Sequence, residues 1–116
     1  MTITVRDRDF KIDFVNNFCR EQYQTMLETA EELTELPDEV RDAAGRDEIK
    51  ALQAKRKKLV NQIGVVRETI LKELLETNGH EYDRNWWLHK TDVDDVNRFV
   101  VDSLRKDLKG NVSKKN

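Results

Sequence analysis

Two histidines, one cysteine and a run of acids are the residues here with metal-binding or nucleophilic chemistry, and their spacing decides what they can do. His80 and His89 lie near Asp83, Asp92, Asp94 and Asp95. Zinc sites use cysteines and histidines at short, regular intervals. The intervals here are irregular, with no second cysteine and no paired-histidine motif. Asp92-Val93-Asp94-Asp95 is not a calcium loop, because the glycine and distal glutamate of that loop are missing. It reads as a helix start, with Thr91 as N-cap and acids over the positive end of the dipole. Cys19 falls on the first turn of an amphipathic helix, where a small core residue is the ordinary outcome. The four glycines form no phosphate-cradling loop. No carboxylate sits in an apolar stretch that would raise its pKa for acid work. The sequence therefore predicts no catalytic residue, no cofactor and no metal site: a binding or assembly protein rather than an enzyme.

Binding chemistry is the better prospect. Trp86 and Trp87 are adjacent, and tryptophan is a common interface anchor. An extended segment would turn one of them outward; a packed one would let both plug the end of a helical core. A second candidate is the apolar line Ile49, Leu52, Leu59, Ile63, Val66 and Ile70, spaced alternately by three and four with Arg56 interrupting it. That is a heptad seam for about three heptads before its register slides to Leu74.

These residues need elements to position them. Ile3 and Val5 alternate with polar neighbours, as do Phe10, Ile12 and Phe14, which predicts a strand, a turn and a second strand. A two-stranded hairpin is marginal alone and must lean on a helix or another subunit. Asn16-Asn17 caps a helix whose apolar face holds Phe18, Met26, Ala30 and Leu33, expected to end near Leu36-Pro37. The seam places one long helix from about Arg46 to Glu76, on the order of 45 Å at 1.5 Å per residue, stopped at Thr77-Asn78-Gly79. His80 to Lys90 reads as a loop or turn carrying the tryptophans. A last helix carries Val93, Val96, Val100, Leu104 and Leu108 and stops at Gly110. The predicted fold is mainly α: an N-terminal β-hairpin followed by a helical bundle with one long central helix. Residues 1–110 form a single domain, and 111–116 a disordered polar tail.

Composition bounds the function. Of 116 residues 37% are hydrophobic and 38% charged, a thin apolar supply that association with another chain would complete. The net charge of -2 argues against a general nucleic-acid binder. Charge is unevenly spread: Glu21 to Glu48 holds ten acids against Arg41 and Arg46, whereas Lys50, Lys55, Arg56, Lys57 and Lys58 follow directly. A lone cysteine allows no internal disulfide and fits a reducing cytosol. No stretch approaches the roughly 20 apolar residues of a membrane span, and the N-terminus lacks a signal peptide's apolar core. A cytoplasmic protein without membrane contact is expected.

The two ends of the chain carry a family resemblance. Thr2-Ile3-Thr4-Val5 with Phe10-Lys11-Ile12-Asp13-Phe14 opens it, and Trp86-Trp87 precedes Thr91-Asp92-Val93-Asp94-Asp95-Val96-Asn97-Arg98-Phe99-Val100 near its close. Together these resemble the small tail assembly chaperones of long-tailed bacteriophages, which have an N-terminal strand pair, charged helices, and an aromatic before an Asp-rich helix start. The resemblance implies a non-enzymatic helper in the host cytoplasm that self-associates and coats the tape measure protein during tail assembly. The long central helix has no counterpart in it. From the seam itself, Leu52, Leu59, Ile63, Val66 and Ile70 are the expected partner contacts, with Trp86 or Trp87 as anchor. The alternative is a small coiled-coil regulator binding nucleic acid through Lys50 to Lys58, whose affinity would fall steeply with salt.

Overall fold

A computed structural model describes residues 1–43 and 45–115, with side chains as far as residue 105. It is mainly helical, with strands β1 (Thr2–Val5) and β2 (Arg8–Lys11) and helices α1 (Asn17–Asp42), α2 (Arg46–Thr77), α3 (Arg84–Lys90) and α4 (Val93–Lys115). The strands pair antiparallel, Ile3 opposite Phe10 and Val5 opposite Arg8. Ile3, Val5, Phe10 and Ile12 are buried, as the alternation requires. Phe14 departs from it and is exposed. The amide of Asn78 explains the break: it accepts from the N–H groups of Asp13 and Phe14 and donates to the Phe14 carbonyl, all at 2.9 Å. The backbone after Ile12 is thus tied to the end of α2 and leaves the strand.

The hairpin turn lacks glycine or asparagine. Arg6 takes the left-handed conformation, with φ of 56°, which is uncommon for a side chain of its size. Its guanidinium is held by Asp95 at 2.7 Å and Asp92 at 3.2 Å, so the turn is anchored from the start of α4. There Asp92, not Thr91, is the cap. Asp95 N–H donates to the Asp92 carboxylate at 2.8 Å, and Asp92 N–H to that of Asp95 at 3.1 Å, a reciprocal capping box.

Pro37 does not end α1. The helix passes through it to Asp42, with Pro37 itself exposed while Leu36 is buried. Packing of that inward face against α2 outweighs the missing N–H of the proline. The segment expected as a loop holds α3, capped by the Asp83 carboxylate on the N–H of Trp86. On a helix, neighbouring residues lie about 100° apart, and both Trp86 and Trp87 are buried. α4 continues beyond Gly110, a predicted stop, to Lys115. The side chains of Leu108 and of 111–116 lie outside the described residues.

The core sits at one end of the molecule. The hairpin, Cys19, the last turns of α2 (Ile70, Leu71, Leu74 and Leu75), the two tryptophans and Phe99, Val100 and Leu104 form one cluster. Phe10 is its hub, with ring centroids 5.3 Å from Trp87, 5.7 Å from Phe99 and 5.9 Å from Trp86. Away from this head, α1 and α2 run on together as a two-helix arm, and the molecule spans 51 × 40 × 20 Å.

Candidate partner-binding surface

The arm is an antiparallel pair, fixed at its base by Asn16. That residue caps α1 through the N–H of Cys19 and donates to Glu73 of α2 at 2.9 Å. Towards the tip, Lys55 faces Glu39 at 3.8 Å. Between these points, beyond Cys19, Ile70 and Leu71 of the head core, the buried residues are Met26, Leu36 and Leu59. Two helices in contact cover one stripe of each other and leave the remaining surface to solvent.

The seam residues are accordingly divided. Ile70 lies in the head core and Leu59 inside the arm, both buried by the chain itself. Leu52, Ile63 and Val66 are half-buried. Arg56, in line with the seam by spacing, points to solvent; a pair of helices needs fewer inward positions than a bundle. Trp86 and Trp87 stack edge to face at 5.0 Å within the head, with Arg8 lying over the Trp86 ring at 4.4 Å. Neither ring is presented as an outward anchor.

The apolar surface that remains open is elsewhere. Leu27 and Val60 are exposed on the arm, and Val65 is 66% exposed. Val65 and Val66 border a groove of about 720 Å3 running between α1 and α2, walled by Thr25 and Thr29 on one side and Ala54, Lys58 and Asn61 on the other. Its lining mixes short hydroxyl and amide side chains and two valines with Lys57 and Lys58, which suits a helix that is apolar on one face and acidic at its edge. Lys50, Lys57 and Lys58 are exposed, but Lys55 is engaged with Glu39, and acidic α1 lies alongside.

Of the remaining candidates for chemistry, His80 and Cys19 are packed into the head. His80 Nε2 lies 2.9 Å from the Lys11 carbonyl and its ring meets Phe10 edge-on; His89 is exposed. Cys19 is fully buried, and burial, with Glu73 adding to it, pushes its thiol up to about 11. Among the described residues no group of three or more His, Cys, Asp or Glu is placed to hold a metal ion, and no helix is long and apolar enough to cross a membrane. Sequence reasoning missed Asn78, Arg6 and Val65. The first two act through long-range hydrogen bonds and ion pairs that no periodicity encodes. Val65 had a signal, since it lies one residue off the seam in Gly64-Val65-Val66. Compared with family models, curated proteins and solved structures, the chain matches none.

Proposed function

We propose that this chain is a non-enzymatic morphogenesis factor of a long-tailed bacteriophage, a tail assembly chaperone that self-associates and binds the tape measure protein through apolar helix surface. The observation that carries the reading is the valine-floored groove on a two-helix arm that the rest of the chain leaves uncovered. A tape measure protein is long and helical, and an amphipathic helix lays its apolar face into such a groove. Half-buried Val66 lines the groove and gains cover from the same event; Leu52 and Ile63 do not line it, and Leu59, Ile70, Trp86 and Trp87 are buried in the arm and head that present it.

Val65→Asp is the test, because Val65 is exposed and its replacement leaves the fold standing. The wild-type protein is expected to scatter light as an oligomer and to keep a co-expressed helical segment of the tape measure protein soluble. The variant is expected to lose both with unchanged circular dichroism. A wild type that stays monomeric and leaves the segment insoluble overturns the reading.

A further inference from the structure

A second cavity lies on the other side of α2, where that helix meets α3 and the start of α4. It is an open cleft of about 400 Å3 lined by Leu71, Tyr82, Trp87, Val93 and Val96, with Val93 more than half exposed, within the size range of a small-ligand site. Three charged side chains of interest reach it: Arg67, Glu68 and Asp92. Both carboxylates are already engaged. Glu68 accepts from Arg84 at 3.1 Å and from the Tyr82 hydroxyl at 3.2 Å, and Asp92 accepts from Arg6 and caps α4. Arg67 differs from them. Among the described residues it has no ion pair, and its Nε is shut off from solvent without a hydrogen-bond partner. Burial pushes its guanidinium down from the usual range. A half-buried cation without a counter-charge is an unfavourable arrangement in the free protein.

Gly64 is an independent sign at the same place. It lines the cavity one turn before Glu68, in the middle of a 32-residue helix. Glycine is among the poorest helix formers, and a Cβ here would meet nothing within 4 Å. The chain's own packing gives no reason for it. The space it leaves open belongs to the cavity.

We propose that this cavity receives a carboxylate carried on an apolar body, with the acid on Arg67 and the apolar part against Leu71, Trp87 and Val96. The acid is either a free small molecule or an acidic side chain of another chain; the chemistry recognised is the same. The site stands apart from the arm groove, so it holds or falls independently of the tape-measure reading.

The probes are 3-phenylpropanoate and its uncharged amide, titrated at millimolar concentration into the full chain and followed by amide chemical shifts at Tyr82, Trp87 and Val96. The acid is expected to bind at least about tenfold more tightly than the amide, the order of one charge-assisted hydrogen bond. Arg67→Gln should erase that preference. Gly64→Ala should raise the thermal midpoint while weakening the acid, a pairing that a purely structural glycine does not produce. Should Arg67→Gln fail to fold, Gly64→Ala alone decides. No shifts with the acid, equal binding of acid and amide, or undiminished binding in Gly64→Ala overturns the proposal. Where the acid binds, light scattering with the cavity saturated assigns the source. A fall in mass means that another copy supplies the carboxylate, and an unchanged mass means a separate acid.

Discussion

The two ends of α2 carry similar residues in different surroundings. Over its last turns Ile70, Leu71, Leu74 and Leu75 are all buried, met by the β-hairpin, α3 and α4. Over the first two-thirds, most of which runs beside α1 in the arm, only Leu59 is buried, although Leu52, Ile63 and Val66 follow the same spacing. Apolar periodicity therefore fixes which side of a helix faces inward. It does not fix how completely that side is covered, which depends on how many layers the rest of the chain brings to it. The head has enough layers to be a core; the arm has one helix against another.

The largest effects should fall in the head. Phe99 is fully buried and stacks on Phe10 and Trp87. Phe99→Ala is expected to remove about 3–5 kcal/mol by urea denaturation, a large share of a small domain's stability. In the arm, Leu59→Ala should remove about 2 kcal/mol, the low end for such a truncation, because a site between two helices can partly collapse. Leu74→Ala in the head is the control for the same chemistry. Equal losses for Leu59→Ala and Leu74→Ala would break the distinction. Hydrogen exchange sharpens it further: Leu59→Ala should speed exchange along the arm and leave β1 and α4 protected.

That distinction also marks how far the sequence was legible. Strand alternation and heptad spacing are local, and they placed the hairpin and the long helix correctly, while Arg56 of the seam and Phe14 of the strand face solvent. Pro37 misled because helix propensity is weaker than the burial of Leu36 against α2, a contact set by residues far along the chain. α3 was hidden because seven residues span barely two turns, too few for a periodicity to stand out, and its local signal is Asp83 three before Trp86. At the candidate surface the seam lies on the same helix as the groove but does not include the exposed residue, Val65. Exposure is decided by α1 and α4, neither of which is encoded in the spacing of α2.

A smaller effect concerns the joint between the hairpin turn and α4. The carboxyl of Asp95 is held below the usual range, first by the N–H of Asp92 in the capping box and then by Arg6. A group whose pKa is lower in the folded state stabilises the fold above its unfolded pKa of about 3.9. That contribution is lost as pH falls from there through the folded value. The thermal midpoint of Asp95→Asn should therefore fall less than that of wild type between neutral pH and about pH 3. The difference should be confined to the head, with arm exchange rates unchanged. Identical pH profiles for the two proteins would mean that this ion pair contributes nothing to the joint.

Cys19 gives the smallest perturbation, because it needs no substitution to report on the head. It lies at the base of α1, fully buried, with its thiol pushed up to about 11 by burial and by Glu73. The thiolate is the reacting form, so near pH 8 the native chain is nearly inert to a disulfide reagent and labels only through opening. The labelling rate then measures how often the head opens, whatever the arm is doing. Leu59→Ala should leave that rate close to wild type, and Phe99→Ala should raise it about tenfold for each 1.4 kcal/mol of lost stability. If loosening the arm exposes Cys19 as readily as loosening the head, α1 opens along its whole length as one unit, and the boundary between arm and head is one of shape rather than of stability.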